Sequence, residues 1–428
     1  MSDAGGRGLP GFLQRLTSSR ILTVFALVQT LAVTTLGLAY LAALDGPISA
    51  ERRVVTGDYL AFLTGAAVIA DGHGEALYDF GVQASAQERL VGAKLDAWQP
   101  YVYPPLLAVL MTPLTRLTFV HGFHAYVGVM VLAGCLGACA LVGLVPQLAA
   151  RPFHAATVVM LTLGFHPIAR TMFGGQNTVL TWALVTGALW ALDRERQIAA
   201  GLLLGLLSYK PQYLPLLLAV ITLSRCWTAL GVALAGCLAH YAIGAFVVGW
   251  DWPFGMLGAA ARYRSQELFL HMHFSLSTFF GDVVGGTSAK VLGAIGIAVV
   301  LATFLRFAPR ARPGQPAFRL LWAFALVAGT LVSPYLQYYD FGVLVLPAVI
   351  GLDTLLGQGR APGTGLRVLG MAIYVGYPWF YTAPGGFALQ PLTLWAVALF
   401  AWLAQLSHLA ARAEARPRPA QPSLSADA

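Results

Sequence analysis

Charged residues are scarce in this sequence. Only 10% of its 428 residues are charged, whereas about 25% of the residues in an average soluble domain carry a charge. Hydrophobic residues make up 58% of the chain, and its mean hydropathy is +0.70. Such a composition excludes an ordinary soluble domain, since too few polar side chains remain to cover its surface. We therefore predict an all-α polytopic membrane protein.

Cysteine is scarce, and the common nucleotide-binding signatures are missing. The four cysteines, Cys135, Cys139, Cys226 and Cys237, lie in or beside apolar stretches and form no CxxC motif. We expect them to be packing residues that hold neither a disulfide framework nor a metal. No P-loop and no GxGxxG sequence follows a predicted strand, so we predict no nucleotide-binding domain.

Long hydrophobic runs are abundant. Twelve stretches are candidate membrane spans, several of them short: approximately 21–43, 123–147, 154–172, 177–192, 197–209, 212–224, 226–249, 288–306, 318–333, 338–356, 366–381 and 389–410. The first run is too long for a signal peptide and has no A-x-A cleavage site, so we expect it to be retained. The predicted organisation is a cytoplasmic segment 1–20, a transmembrane domain 21–410 and a disordered cytoplasmic tail 411–428.

The basic residues predict the orientation of these spans. Arg7, Arg15 and Arg20 precede the first span, which places the N-terminus in the cytoplasm. Alternation of the twelve spans then puts most Lys and Arg residues on the cytoplasmic side, as the positive-inside rule requires. The net charge of +8 therefore indicates topology, and we expect no nucleic-acid partner.

This orientation holds only if residues 101–117 do not cross the membrane. Three prolines and Arg116 make that stretch a poor straight span. We predict that it is a re-entrant or interfacial part of a large first extracytoplasmic loop, 45–122. The same loop contains Tyr59–Ala70, a candidate amphipathic helix.

Five polar motifs fall on the predicted extracytoplasmic side. They are Gly57-Asp58-Tyr59, Tyr103-Pro104-Pro105, Gly175-Gln176-Asn177, Tyr209-Lys210-Pro211-Gln212 and Ser333-Pro334-Tyr335. Polar loops that converge on one face of a helical bundle describe a candidate site.

Two of these motifs admit both a structural and a functional interpretation. Asp58 could cap the helix that follows it, or its carboxylate could act as a general base at the membrane surface. Lys210 could extend its ammonium group to the lipid headgroups, or it could bind an anion such as a lipid phosphate. We expect Pro211 to break the helix and to help expose Lys210.

The remaining polar residues also admit both a structural and a functional interpretation. Gln176 and Asn177 could belong to a helix boundary, or they could hydrogen-bond a hydroxyl-rich ligand. The Tyr-rich segment from Ser333 to Asp340 could be an interfacial aromatic belt or a sugar-binding surface. His271 and His273 form only a weak metal pattern, and we expect no metal site.

Taken in order, six sequence marks resemble glycosyltransferase family 87, whose members are polytopic enzymes of the GT-C fold. The marks lie within roughly residues 50–350: Gly57-Asp58-Tyr59, Gly74-x-x-Leu77-Tyr78-Asp79, Tyr103-Pro104-Pro105, Gly175-Gln176-Asn177, Tyr209-Lys210-Pro211-Gln212 and Ser333-Pro334-Tyr335-x-x-Tyr338-x-Asp340. The chain departs from the mycobacterial mannosyl- and arabinofuranosyltransferases of the family at the last mark. Tyr335, Gln337 and Tyr338 stand there, where those enzymes look richer in Trp and His.

The resemblance implies sugar transfer from a polyprenyl-phosphate donor to a lipid or glycan hydroxyl, with inversion, on the outer side of the bacterial cytoplasmic membrane. Mannose is the first expectation for the sugar and arabinofuranose the second. The implied base is Asp58, and no cofactor is expected. The expected ligands of the donor phosphate are Lys210 first, with Arg170, Arg262 and Arg264. The expected sugar and acceptor contacts are Tyr59, Tyr103, Gln176, Asn177, Gln212, His271, His273, Tyr335, Gln337, Tyr338 and Asp340.

Two other classes of protein compete with an enzyme. A transporter or flippase of lipid-linked sugars commonly shows internal repeats and ionisable residues in mid-span, and we find neither in the sequence. A structural membrane protein would not need Asp58 or Lys210.

Overall fold

The structure is a computed structural model, and it describes residues 19–49, 54–95, 98–150, 152–264, 274–334, 336–382 and 390–414. These residues form helices and connecting turns, with no β-strand among them. The predicted all-α membrane class is therefore confirmed. Residues 1–18 and 415–428, which include most of the predicted cytoplasmic segment and tail, lie outside the described residues.

Eighteen α-helices follow one another in the described residues. The first nine are α1 (Ser19–Ala43), α2 (Tyr59–Ala70), α3 (Phe80–Val91), α4 (Pro105–Met111), α5 (Phe119–Leu144), α6 (Pro152–Leu163), α7 (His166–Phe173), α8 (Thr178–Asp193) and α9 (Gln197–Leu206). The other nine are α10 (Leu214–Leu223), α11 (Trp227–Val247), α12 (Trp252–Arg264), α13 (Leu276–Val283), α14 (Gly286–Phe307), α15 (Pro316–Val332), α16 (Val345–Gly357), α17 (Thr364–Thr382) and α18 (Pro391–Glu414). Short 3₁₀ turns lie between several of them, at Gly74–Ala76, Thr112–Arg116, Leu207–Tyr209, Pro211–Tyr213 and Tyr338–Leu344.

Six helical stretches of the described residues are long and apolar enough to cross a membrane: Thr23–Ala43, Phe119–Leu144, Trp227–Val247, Gly286–Phe307, Tyr338–Gly357 and Pro391–Leu409. The count rises to seven if α6 and α7, which meet at a 65° bend, form one broken span. The other five predicted spans correspond to α8, α9, α10, α15 and α17. Twelve crossings thus stay a prediction.

The first predicted loop contains short helices. Within 101–117 the only α-helix is α4, whose seven residues are followed by a 3₁₀ turn. Seven residues rise only about 10 Å, far short of the ~30 Å hydrocarbon core. Helix α2 has the predicted bounds, but its residues from Tyr59 to Val68 are all buried. The prediction that α2 is amphipathic is therefore wrong, since protein surrounds it.

The outer surface of the bundle is apolar. Phe246 on α11 is 91% exposed and Leu36 on α1 is 69% exposed, as expected of side chains that face lipid. All four cysteines are free, and Cys226 is buried as predicted. Cys135 and Cys139 lie on the exposed face of α5, where they add to the apolar outer surface.

A separate group of polar contacts lies at the end of the bundle away from the candidate site. At the end of α8, the carboxylate of Asp193 pairs with Arg319 at 3.4 Å. Nearby, Asp353 Oδ1 accepts the backbone N–H groups of Gln147 and Leu148 at 2.8 and 2.9 Å. The candidate site lies at the other end of α8, about 24 Å away at 1.5 Å per residue. The acidic residues at the end of α8, Asp193 and Glu195, are thus remote from the candidate site.

Candidate active site at the convergence of four loops

Asp58 stands immediately before α2 but does not cap it. Its backbone occupies the N-cap position, yet its side chain makes no capping hydrogen bond. The carboxylate points instead to the Tyr-rich segment, where Tyr339 Oη donates to Asp58 Oδ2 at 2.8 Å. This contact joins residues 281 positions apart. Capping alone therefore does not account for an aspartate here.

Glycines bring the Asp58 loop against the loop between α7 and α8. Gly57 and Gly175 both have positive φ, of +53° and +77°. A Cβ on Gly57 would lie 2.2 Å from Gly174 O, and one on Gly175 would lie 1.8 Å from Thr56 O. Any side chain at either position would separate the two backbones. The sequence pattern predicted a glycine helix end here but not this contact.

Gln176 lies beside Asp58, and Asn177 follows it at the start of α8. Gln176 hydrogen-bonds the Asp58 carboxylate, while its own buried Oε1 has no protein partner. Asn177 occupies the N-cap position of α8 without capping it. Both polar atoms of its fully buried side chain lack a protein partner. Because buried polar atoms are almost always satisfied, these amides are suited to hold water or ligand hydroxyl groups.

Lys210 lies inside the protein and is paired. Its side chain is 2% exposed, and Nζ contacts Asp340 Oδ1 at 2.6 Å. Nζ also donates to Thr178 Oγ1 at 3.3 Å, and that hydroxyl donates to Asp340 Oδ1 at 2.7 Å. The prediction that Pro211 exposes Lys210 is wrong. A phosphate that contacted Lys210 directly would have to compete with the Asp340 carboxylate.

Asp340 also shapes the Tyr-rich segment. Its Oδ2 accepts the backbone N–H of Gln337 at 3.0 Å, and the Gln337 side chain accepts a backbone N–H in return. Both side chains are buried, and the ring of buried Tyr338 lies 5.1 Å from that of Tyr339. The sequence motif contained Tyr338 and Asp340 but not Tyr339, the residue that contacts Asp58.

Two of the predicted sugar contacts, Tyr59 and Tyr103, pack against other aromatic rings. Tyr59 is fully buried, with its ring 5.1–5.5 Å from those of Phe119, Phe123 and Tyr126. It therefore lies behind the site, in the core. Tyr103 is half-buried and packs edge-on against Phe62 of α2 at 5.1 Å.

The predicted phosphate-binding arginines occupy two different places. Arg170, near the end of α7, is half-buried, and a Cβ on Gly174 would lie 2.0 Å from its Nη1. Since Gly174 abuts Gly57, Arg170 lies close to the Asp58 loop. Arg262 donates to Tyr78 O at 3.1 Å and covers the Phe80 ring at 4.8 Å. It lines a surface groove of about 590 Å³ whose lining residues do not include Asp58.

The other predicted contacts are less defined. Gln212 is half-buried in the 3₁₀ turn after Lys210. Tyr335, His271 and His273 lie outside the described residues, as does the side chain of Arg264. Within the described ranges, no three His, Cys, Asp or Glu side chains group closely enough to hold a metal ion.

Burial and neighbouring groups shift the pKa of Asp58 in opposite directions. Removal from water raises the pKa of this carboxyl above its usual value. The hydrogen bonds from Tyr339 and Gln176 and the nearby charge of Lys210 oppose the rise, while the charge of Asp340 adds to it. A carboxylate whose charge is poorly solvated and whose lone pairs are partly free is a suitable proton acceptor.

Comparison with known proteins gives one match. A family model described as glycosyltransferase family 87 matches residues 101–334, more than half of the chain. The matched stretch contains Tyr103, Gln176, Asn177 and Lys210 but ends before Tyr339 and begins after Asp58. No curated protein and no solved structure matches the chain.

Proposed function

Because the chain belongs to glycosyltransferase family 87, we propose that it transfers a hexose, with mannose the first candidate, from a polyprenyl-phosphate donor to a hydroxyl group of a membrane lipid or glycan. Arabinofuranose is the second candidate for the sugar. Asp58 supports this assignment, because its carboxylate makes no capping hydrogen bond at the start of α2 and instead contacts the Tyr-rich segment 281 positions away.

Asp58 is the general base of the proposed reaction. Its carboxylate takes the proton of the acceptor hydroxyl as that oxygen attacks the anomeric carbon. The new glycosidic C–O bond forms while the bond from the anomeric carbon to the phosphate oxygen breaks. The bonding electron pair leaves with the polyprenyl phosphate. Attack opposite to the leaving group inverts the anomeric centre, so a β-linked donor gives an α-linked product.

The leaving phosphate needs positive charge close by. Arg170 is the better placed candidate, since it is half-buried beside Gly174 and does not belong to the Lys210–Asp340 pair. Arg262 is fixed in the surface groove and Arg264 ends α12. The unpartnered amide atoms of Gln176 and Asn177 are suited to the sugar hydroxyls.

We place the protein in the bacterial cytoplasmic membrane as a GT-C-like bundle with twelve crossings. The site then lies on the extracytoplasmic side, because Asp58 follows the first span and the N-terminal arginines precede it. A lipid-linked donor enters between helices from the bilayer, so the reaction requires no nucleotide-binding domain. The proposed chemistry also assigns no step to a metal or cofactor.

The test is sugar transfer by purified protein in detergent. Radiolabelled polyprenyl-phosphate mannose is incubated with a membrane lipid extract and with wild type, Asp58→Asn or Asp71→Asn. Asp71 is a matched control from the same loop, exposed and paired with Arg89 at 2.9 Å. We expect labelled product from wild type and Asp71→Asn, and a loss of at least about 100-fold in Asp58→Asn.

Two outcomes would contradict the proposal. Product from Asp58→Asn at the wild-type rate would exclude Asp58 as the essential base. If folded wild type formed no glycosidic product from either a mannose or an arabinofuranose donor, the proposed reaction would be wrong.

A further inference from the structure

Asp58 depends on a hydroxyl group that no sequence motif identified. Tyr339 Oη donates to Asp58 Oδ2 at 2.8 Å, and the Tyr339 side chain is only 6% exposed. A hydrogen bond to a charged acceptor is shorter and stronger than one between neutral groups. This bond occupies one oxygen of the carboxylate and restrains its rotation, which leaves Oδ1 as the oxygen turned to other partners.

The backbone that carries Tyr339 is itself held by the neighbouring Asp340 carboxylate. Tyr339 is the second residue of the 3₁₀ turn Tyr338–Leu344, and the next residue is Asp340. The Asp340 carboxylate holds the beginning of the turn through the N–H of Gln337. The same carboxylate is anchored to the neighbouring helices by Lys210 Nζ at 2.6 Å and by Thr178 Oγ1 at 2.7 Å.

These contacts form a continuous chain from a buried charge to the proposed base. Lys210 fixes Asp340, Asp340 fixes the turn, and the turn carries Tyr339 to Asp58. A lysine with 2% of its side chain exposed and a carboxylate already at 2.6 Å is better suited to this task than to contact with a lipid phosphate. Its charge also lies close enough to Asp58 to favour the ionised carboxylate.

We propose that Tyr339 is the positioning residue of Asp58, and that the buried Lys210–Asp340 ion pair acts in the reaction by holding Tyr339 in place. The catalytic consequence rests on the proposed function, but the contact itself can be measured without it. Neither Tyr339 nor Lys210 would touch the sugar or the donor phosphate in this arrangement.

Infrared titration of the carboxyl groups tests the contact directly. The protonated-carboxyl band of Asp58 is assigned by its absence in Asp58→Asn and is followed against pH in wild type and in Tyr339→Phe. Removing a hydrogen bond that favours the charged form should move the midpoint upward by about one pH unit. Tyr374→Phe is the matched control, because its hydroxyl donates to Leu161 O at the same 2.8 Å on a different helix. An unchanged midpoint in Tyr339→Phe would overturn the proposal.

Kinetics then separate a positioning role from a binding role. We expect Tyr339→Phe to lower kcat about 10- to 100-fold, with the acid limb of its pH profile moved upward and the KM for the donor unchanged. Lys210→Gln should show the same pattern, since its effect passes through Tyr339. A Lys210→Gln variant with a raised donor KM and an unchanged kcat would identify a phosphate ligand and refute the positioning role. A wild type that forms no product would contradict the proposed reaction, and the infrared midpoints would still decide on the Tyr339 contact.

Discussion

Breaking the Lys210–Asp340 pair should be among the most destabilising single changes in this protein. Both side chains are nearly inaccessible, at 2% and 4% exposure, and their charged atoms are 2.6 Å apart. Lys210→Met would leave the Asp340 carboxylate buried without its cation, which costs about 3–5 kcal/mol in comparable sites. For a domain of 150–250 residues that corresponds to a fall in Tm of roughly 6–20 °C, and we expect the lower end for this longer chain.

The double variant Lys210→Met/Asp340→Asn tests the reason for that loss. Asparagine keeps an oxygen that can accept from Thr178 or from the Gln337 N–H but carries no charge. If the cost of Lys210→Met comes from an unpaired charge, the double variant should recover most of the lost stability, and the coupling between the two sites should exceed about 1 kcal/mol.

The assay is the fraction of monodisperse protein that remains after heating in detergent, because unfolding of such proteins is commonly irreversible. Lys290→Met is the control, since Lys290 lies exposed on α14. The reasoning fails if Lys210→Met melts within about 2 °C of the wild type, a shift of less than about 1 kcal/mol. It also fails if the double variant is no more stable than the single one.

Four further predictions concern the site and its orientation. Burial raises the pKa of Asp58, so the folded state binds its proton more tightly than the unfolded state does. The stability that this group contributes is therefore lost as the pH rises through the raised pKa. Asp58→Asn should melt at or above the wild-type temperature at neutral pH, and a lower Tm would contradict this. Transfer by the wild type should in turn fall with acid below the same raised pKa, which a pH–rate profile would show. Gly57→Ala should lose more stability than Gly72→Ala, because both glycines have positive φ but a Cβ only on Gly57 would meet a backbone oxygen, at 2.2 Å. Equal losses of folded protein on heating would show that the strain of a positive φ, about 1–2 kcal/mol, accounts for the whole effect. A cysteine placed at Glu75 should react with a membrane-impermeant thiol reagent in intact cells, and one placed at Arg310 should not. The reverse pattern would show that the predicted topology is inverted.

Hydropathy predicts the long apolar helices of this chain, because membrane spans depend on local composition, but it gave no sign of the shorter helices α3, α12 and α13. It could not predict Tyr339, since its partner Asp58 is 281 positions away. The pairing of Lys210 with Asp340, 130 positions apart, is equally non-local. From the sequence alone, a lysine between two apolar segments is expected to be exposed, because its buried partner is not visible in the local sequence. Helix α2 was misjudged for the same reason, since protein covers the side that its sequence would leave to lipid or water.

Polar contacts hold the end of the bundle far from Asp58 together, as a membrane enzyme allows at all times and a transporter only in one of its states. Alternating access requires that each side of the membrane open in turn around one site. Far from Asp58, Arg319 joins Asp193 of α8 and donates to Leu144 O of α5 at 2.5 Å. Asp353 of α16 caps the backbone that follows α5.

These contacts tie α5, α8, α15 and α16 together at the end where a transporter would have to open. A membrane enzyme needs access from one side and from the bilayer only, so it gains from a closed opposite end. Asp193→Asn should therefore lower the Tm by weakening this closure and leave the rate of sugar transfer per folded molecule unchanged. A lower rate of sugar transfer per folded molecule in Asp193→Asn would contradict this expectation.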